Sequence, residues 1–279
     1  MSKNRSHHPS LITHSYLGID FGTSGARAAL IDAHGEQLAE ARCAFAAVAP
    51  ERLAESWQTA LFQLLEQIPV HHRQNIKAIA IDGTSATALL CDADMHPLCP
   101  PLLYNDSRAA AQAGQLAAIA PPGHTVLGAT SSLAKLLWFA AQPEFPQARY
   151  FVHQADWLAS LLHGRPGIGD YHNSLKLGYD AEHLRYPGWL LALPVARVLP
   201  HVIAPGTPIG PVLPEIARRY SLPGDCLVRA GTTDSIAAFL ASGASQPGDA
   251  VTSLGSTLVL KLLSARRIEA AEYGIYSHR

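Results

Sequence analysis

Hydrophobic and polar residues alternate in short blocks at the start of the chain, and these blocks predict a β-meander followed by a helix. Runs rich in strand-forming residues lie at 16–21, 26–31 and 37–45, and polar turns separate them. From 51 to 68 the apolar residues recur at helical spacing: Leu53, Trp57, Leu61, Leu64, Leu65 and Ile68. We therefore expect three antiparallel strands and then an amphipathic helix.

The rest of the pattern alternates between strands and helices. It predicts strands at 76–81, 88–91, 226–230, 250–254 and 257–263, and helices at 107–120, 132–141, 156–163 and 235–241. The proline-rich stretch from 164 to 214 is too long for a simple connection, so we expect short strands and a functional lid there. A meander followed by strand–helix alternation favours an α/β fold with a mixed β-sheet.

Composition narrows the class of protein. Of the 279 residues, 48% are hydrophobic and 15% are charged, which is typical of a well-buried globular protein. The net charge is -1 without a basic stripe, so we expect no nucleic-acid partner. No apolar run approaches the roughly 20 residues that span a bilayer, so we expect no membrane partner. The N-terminus lacks a signal-peptide pattern and the four cysteines suit buried thiols, which predicts a soluble, cytoplasmic protein.

Four apolar strands each end in a glycine next to hydroxyl residues. The turns are Asp20-Phe21-Gly22-Thr23-Ser24, Asp82-Gly83-Thr84-Ser85, Gly231-Thr232-Thr233-Asp234 and Gly255-Ser256-Thr257. Glycine lets the backbone approach a ligand closely, and amide and hydroxyl groups on a tight turn suit phosphate or sugar oxygens. None of the turns matches the P-loop or the dinucleotide-binding pattern. A second apolar strand follows the first and the last turn, which predicts two equivalent hairpins that hold a polyphosphate.

These motifs occur in the order found in one enzyme family. The segment from Asp20 to Arg27 resembles the first phosphate-binding hairpin of the FGGY carbohydrate kinases, within the actin-like ATPase superfamily. Six further segments are similar to family motifs: Asn105-Asp106-Ser107-Arg108, Lys135 to Phe139, Asp156-Trp157 with Leu162-His163-Gly164, Asp170 to Ser174, Gly231 to Asp234, and Gly255 to Thr257. Within the family, the chain looks most similar to the plant and cyanobacterial D-ribulose kinases, which are xylulose-kinase-like.

The resemblance implies the actin-like ATPase (ribonuclease H-like) fold with a mixed β-sheet and two domains. Residues 1–15 are then a flexible tail, 16–227 the sugar-side domain, and 228–279 the start of the nucleotide-binding domain. About 50 residues are too few for a second α/β domain. The resemblance therefore implies an incomplete second domain and a C-terminally truncated chain.

The resemblance also implies a reaction, the ATP-dependent phosphorylation of a ketopentose, with D-ribulose converted to D-ribulose 5-phosphate. Asp234 stands where the family has its catalytic base, although a carboxylate before an apolar helix also suits an N-cap. Asp20 is expected near Mg²⁺, through water. Arg27 is expected either to bind phosphate or to form a structural ion pair. The other expected phosphate-binding residues are Gly22, Thr23, Ser24, Gly255, Ser256 and Thr257.

The resemblance places four residues against the sugar: Ser85, Tyr104, Asp106 and Asp234. Xylulose kinases typically carry a Met-His pair, and glycerol kinases an Arg-Glu pair, in the loop where this chain has Ser85-Ala86-Thr87-Ala88. This difference favours D-ribulose over the substrates of those enzymes.

Several residues of the sugar-side motifs have two interpretations. Tyr104 packs either against the sugar or in the core, and Asp106 either meets the sugar or pairs with Arg108. We expect Asp82 only to close a loop, because aspartate before a Gly-Thr-Ser turn is common in loops. Lys135 is expected to serve packing.

Other functions stay open at this point. The chain is alternatively a truncated, non-catalytic fragment that binds a sugar or a partner, or a xylulokinase. An actin-like ATPase that acts on a protein client is a further class, although the sugar-side motifs argue against it. The sequence predicts no particular oligomeric state.

Overall fold

The computed structural model describes residues 14–254, 258–270 and 273–279, which form a mixed α/β fold. The strands are β1 (Ser15–Phe21), β2 (Gly25–Asp32), β3 (Gln37–Ala44), β4 (Ile76–Gly83), β5 (Ala88–Cys91), β6 (Tyr150–His153), β7 (Ile168–Asp170), β8 (His201–Ile203), β9 (Pro208–Pro211), β10 (Leu227–Thr233), β11 (Ala250–Leu254) and β12 (Leu258–Leu262). The α-helices are α1 (Leu53–Gln67), α2 (Val70–Arg73), α3 (Ala110–Leu116), α4 (Ser132–Ala140), α5 (Gln154–His163), α6 (Gly188–Leu191), α7 (Pro214–Tyr220) and α8 (Asp234–Ala241).

A six-stranded sheet with the order β3-β2-β1-β4-β10-β9 forms the centre of the fold. Strands β1, β2 and β3 pair antiparallel, as the sequence predicts. Strand β4 pairs parallel with both β1 and β10, and β9 lies antiparallel to β10 at the far edge. The predicted mixed sheet is therefore confirmed. Its three parallel central strands end at the same edge, which is where the site lies.

Two hydrophobic clusters hold the sheet and its helices together. The first packs α1 and α5 against one face of the sheet, with the buried residues Ile19, Phe21, Ile79, Ile81, Trp57, Leu61, Leu64, Leu158 and Leu162 among its members. Burial of such a side chain contributes roughly 1.5–3 kcal/mol. The second cluster joins β5 and β6 to α3 and α4, and it includes Leu90, Leu133, Leu136, Phe139 and Phe151.

Alternation along β1 and β4 leaves the opposite face of the sheet for polar groups. Ile19 and Ile81 point into the first cluster and are almost fully buried. Because side chains alternate between faces along a strand, Asp20 and Asp82 point the other way. The two-residue alternation that directs Ile19 and Ile81 into the core therefore places the two carboxylates together on the opposite face of the sheet.

The structure differs from the sequence prediction at several points. The helix predicted at 107–120 spans only Ala110–Leu116. It starts later than predicted because the Arg108 amide donates to the Asp106 side chain and forms a turn before the helix. The stretch from 164 to 214 contains the short strands β7, β8 and β9, as predicted. Cys91 and Cys226 are buried thiols, but the prediction is wrong for Cys43 and Cys99, which are partly exposed. In the part of the chain that the structure describes, no helix has the length and apolar character needed to cross a bilayer.

Candidate functional site

Three aspartates meet at the carboxyl-terminal edge of the central strands. Asp20 on β1 lies directly opposite Asp82 on β4 in the parallel register. Asp82 in turn lies opposite Thr232 on β10, and Asp234 follows two residues later as the first residue of α8. The sequence predicted roles for Asp20 and Asp234. It expected Asp82 only to close a loop, whereas the structure places Asp82 in a strand between them.

Asp82 is the most perturbed group of this edge. Burial raises the pKa of its carboxyl to about 8, and the neighbouring charges of Asp20 and Asp234 add to the effect. Its Oδ1 atom is buried without a hydrogen-bond partner. A carboxyl group in this state stays protonated at neutral pH unless positive charge is brought to it. The signal that was available in the sequence was its position, at the end of a buried strand that repeats the turn chemistry of the first strand.

Asp20 is held by an ion pair within the first hairpin. Arg27 donates to Asp20 Oδ2 from Nη2 at 2.7 Å and from Nε at 3.2 Å. The two residues are direct partners in the antiparallel pairing of β1 with β2. The arrangement corresponds to the ion-pair interpretation of Arg27. The Arg27 side chain is 68% exposed, so its guanidinium also remains open to a ligand.

Asp234 starts helix α8 rather than capping it, since Thr233 occupies the N-cap position. Burial raises the pKa of the Asp234 carboxyl, while the amides of Ser235 and Ser85 act in the opposite direction. The Ser235 amide donates to Asp234 Oδ1 at 2.6 Å. Lys261 on β12 donates to the Ser235 carbonyl oxygen and is the cation that faces Asp234. The structure thus brings Asp234 close to the loop of Ser85.

A bulge in β10 sets the position of this carboxylate. The register between β10 and β4 shifts between Arg229 and Thr232. A side chain at Gly231 would overlap the carbonyl oxygen of Ile81, so the bulge requires glycine there. Beyond it, Thr232 shares a hydrogen bond of 2.7 Å with His172 Nδ1, which anchors the end of the strand.

The sugar-side candidates lie on two neighbouring loops. Ser85 is partly buried at the end of β4, while Tyr104 is 43% exposed, so the core interpretation of Tyr104 is wrong. Asp106 pairs with Arg108 at 2.8 Å. Burial raises the pKa of the Asp106 carboxyl, but the hydrogen bonds from Arg108 outweigh this and hold it below its usual value. Lys135, which was expected to serve packing, is fully buried and donates to backbone carbonyl oxygens of both loops.

The phosphate-side candidates are described only in part. Gly22 donates from its amide to the Gly25 carbonyl oxygen at 3.0 Å, which closes the turn between β1 and β2. Thr23 and Ser24 are exposed at the tip of that turn, where their hydroxyl groups are free to meet a ligand. The three residues of the last predicted turn, Gly255, Ser256 and Thr257, lie outside the described residues.

The edge offers oxygen ligands that suit Mg²⁺. The set comprises the carboxylates of Asp20 and Asp82, and the partnerless Asp82 Oδ1 is the atom that a cation would satisfy. Among the described residues, the tight clusters of three ligating groups are Asp92-Asp94-His96 and Asp180-Glu182-His183, and neither includes a site aspartate. Two carboxylates fit a cation that uses few protein ligands and keeps most of its waters.

Comparison with known proteins agrees with this geometry. Residues 15–241 match the N-terminal domain of the FGGY family of carbohydrate kinases. A xylulose kinase from Escherichia coli (strain K12) is 27% identical over 276 residues, covering 94% of this chain and 57% of the relative. A ribulokinase from Halalkalibacterium halodurans is 24% identical over 312 residues, covering 91% of this chain and 54% of the relative.

The crystal structure of a xyloylose kinase from Brucella ovis matches with a TM-score of 0.82 at 27% identity, covering 94% of this chain and 57% of that chain. The chain therefore spans little more than half the length of these relatives. Its fold is the actin-like ATPase fold of the sugar kinases, as expected. The matched segment contains all three aspartates of the central edge. On this evidence the chain belongs to the FGGY family of carbohydrate kinases.

Proposed function

We propose that this chain forms the sugar-side part of a kinase that transfers a phosphoryl group from ATP to a hydroxyl group of a ketopentose. The observation that carries the proposal is the convergence of Asp20, Asp82 and Asp234 at one strand edge, beside the loop of Ser85. Phosphoryl transfer needs little covalent chemistry from a protein, because positioning and charge neutralisation supply most of the rate.

Asp234 acts as the base that accepts the proton of the attacking hydroxyl. A general base is most effective when its pKa lies near the working pH, and burial moves the pKa of Asp234 upward from the ordinary carboxyl value. The Ser85 and Ser235 amides favour the ionised form and fix the carboxylate in place. The pKa of the Asp234 carboxyl is therefore raised, and the carboxylate is held in one orientation.

The first hairpin serves the phosphate side. Thr23 and Ser24 offer hydroxyl groups at its exposed tip, and Arg27 offers a guanidinium beside them. Asp20 and Asp82 would hold Mg²⁺. When bound, this ion supplies positive charge that offsets the charge of the phosphoryl oxygens. Gly255, Ser256 and Thr257 belong to the same proposal through their sequence alone.

We place D-ribulose first among the substrates, because Ser85-Ala86-Thr87-Ala88 lacks the Met-His pair typical of xylulose kinases. D-xylulose is the second candidate, since relatives such as the Escherichia coli protein are xylulose kinases. Ser85, Tyr104 and Asp106 would meet the sugar in either case. The division into a sugar-side domain ending near residue 227 and a nucleotide-side domain after it remains part of this proposal.

The test is a panel of pentuloses, glycerol and no sugar, each with ATP and Mg²⁺, run on this chain and on any longer form of the protein. We expect phosphorylation of D-ribulose with the highest kcat/KM. Asp234→Asn should lower kcat by 10²–10⁴-fold, because it keeps the shape but removes the base. Asp249→Asn is the control: Asp249 accepts amide hydrogen bonds from Ser245 and Gln246 on an exposed turn, so its kcat should be unchanged.

Each alternative has its own outcome in this experiment. Near-normal turnover in Asp234→Asn would refute the assignment of the base. Sugar binding without phosphorylation in every form would identify a sugar-binding protein instead. ATP hydrolysis that ignores every pentulose would favour an ATPase that acts on a protein client.

A further inference from the structure

We propose that helix α4 is the template that fixes the two sugar-side loops, and that Lys135 is its positioning residue. The two loops comprise residues 84–87, which carry Ser85, and residues 103–108, which carry Tyr104 and Asp106. The inference rests on the proposed function only in assigning these loops to the sugar.

The ammonium group of Lys135 bonds both loops at once. Its Nζ donates to the carbonyl oxygen of Ala86 at 2.8 Å, of Leu103 at 2.6 Å and of Tyr104 at 3.4 Å. An ammonium group has three donors and no acceptor, so each of its donors has a loop carbonyl as partner. The side chain is fully buried. It therefore cannot reach a substrate and acts only through the two loops.

The partners of Lys135 explain why a charge is tolerated there. Burial lowers the pKa of the amine to about 8, while the carboxylate of Asp106 favours the charged form. Lysine is almost never fully buried unless its charge is partnered. Here the partners are backbone atoms of the loops themselves, which indicates a role beyond the packing that the sequence suggested.

The first loop has a backbone conformation that needs support. Ala86 has φ = 65°, in the left-handed region that is unfavourable for a non-glycine residue. Thr84 and Thr87 share a hydroxyl–hydroxyl hydrogen bond across the turn, and Gln154 accepts from Thr84. Paired backbone hydrogen bonds between Ala88 and Leu102 join the bases of the two loops, and Lys135 links the turn at Ala86 to the second loop beyond that bridge.

One turn further along α4, Trp138 supports the second loop. The guanidinium carbon of Arg108 lies 5.2 Å from the centre of the Trp138 ring. Arg108 Nε donates in turn to both oxygens of Asp106, at 3.0 Å and 2.9 Å. The pair Lys135 and Trp138 thus holds the backbone of both loops and the carboxylate of one.

Hydrogen exchange, measured on the full chain with and without the Lys135 ammonium group, tests the inference. Lys135→Met keeps most of the length of the unbranched side chain but removes its three donors. We expect exchange at the amides of Thr87 and Asp106, which close the two loops through hydrogen bonds to Thr84 and Leu103, to become at least tenfold faster. D-Ribulose and D-xylulose titrations should show at least a tenfold weaker sugar affinity.

Leu133→Ala is the matched control. Leu133 is also buried on α4 but lies about 200° around the helix from Lys135. It should lower the melting temperature while changing sugar affinity and exchange in the two loops less than twofold. Trp138→Leu should speed exchange at Asp106 alone, and it provides the test should Lys135→Met fail to fold.

Equal effects of Lys135→Met and Leu133→Ala on the loop amides would overturn the inference, as would unchanged Asp106 exchange in Trp138→Leu. If the unmodified protein binds no pentulose, the proposed function fails instead. The comparison of hydrogen exchange among the variants still decides whether α4 fixes the two loops, because it needs no sugar.

Discussion

Replacing Asp156 with asparagine should stabilise the protein at neutral pH. Asp156 lies at the start of α5, and its side chain is 6% exposed. Its Oδ2 is 3.5 Å from Nδ1 of the buried His153, so the two resemble an ion pair. Burial nevertheless raises the pKa of Asp156 to about 8 and lowers the pKa of His153 to about 4. At pH 7 both groups are therefore neutral.

The sign of the effect on stability follows from the protonation state of Asp156 in the folded and the unfolded protein. Between pH 3.8 and about 8 the folded protein keeps a proton on Asp156 that the unfolded chain has released. The free energy of unfolding therefore falls as pH rises through this window. At pH 7 the cost is about 4 kcal/mol, from roughly 1.4 kcal/mol for each of the about 3 pH units above the unfolded pKa.

Asparagine has the same shape and needs no proton to stay neutral. Its additional amide hydrogen costs about 1–2 kcal/mol if it is left unpaired. We expect Asp156→Asn to be about as stable as the wild type at pH 5 and about 2–3 kcal/mol more stable at pH 7. The measurement is urea unfolding followed by circular dichroism at pH 5, 6, 7 and 8, with linear extrapolation to water.

Asp225→Asn provides the control for this series. Asp225 is exposed and pairs with Lys77 at 3.0 Å, and its hydrogen bond to Lys77 lowers the pKa of the carboxyl. The difference in stability between this variant and the wild type should stay constant from pH 5 to 8. If the difference for Asp156→Asn were equally constant, or if that variant were less stable at pH 7, the two groups would form a charged pair and the reasoning would be wrong.

Three further predictions concern the sheet, the first hairpin and the thiols. Gly231→Ala should destabilise the protein by about 3 kcal/mol or more in urea unfolding, because the new methyl group overlaps the Ile81 carbonyl oxygen. Gly18→Ala is the control: a methyl group there meets no atom within 4 Å, so stability should change by less than about 1 kcal/mol. Arg27→Gln should change stability by less than about 1 kcal/mol, because its pair with Asp20 is exposed. In steady-state kinetics we expect it to raise the KM for ATP about tenfold or more, because Arg27 is proposed to bind phosphate; an unchanged KM would leave it as an ion-pair residue only. With a thiol reagent at pH 8, Cys43 should react first in the folded protein, because it is partly exposed. Cys99 is also partly exposed but should react more slowly, because burial and the nearby Glu144 raise its pKa to about 11. Cys91 and Cys226 are buried and should react only after unfolding; reaction of all four at one rate would contradict this order.

Much of the fold could be predicted from local patterns alone. The meander β1–β3 and helix α1 follow directly from apolar periods of two and of 3.6 residues. The helix at 107–120 could not be predicted correctly, because the Asx turn that delays its start depends on the Asp106 side chain. Local patterns reflect the spacing of apolar residues, whereas this turn depends on a single side-chain hydrogen bond.

The roles of single polar residues were harder to predict than their presence. Tyr104 was open between core and site, and only the packing of the loop leaves it exposed. Lys135 was expected to pack by its aliphatic stem, since lysine commonly does. The sequence alone could not show that three backbone carbonyl groups from two separate loops surround the ammonium group of Lys135.

Asp82 shows most clearly why a motif must be placed in a sheet before it is interpreted. As a single turn, Asp82-Gly83-Thr84-Ser85 is ordinary loop chemistry. Parallel pairing on both sides makes β4 a central strand, so its last polar residue has Asp20 on one side and the end of β10 on the other. Burial raises the pKa of Asp82, and the neighbouring carboxylates of Asp20 and Asp234 add to the effect, which distinguishes Asp82 from a loop residue. The order β1-β4-β10, rather than any one turn, therefore creates the site.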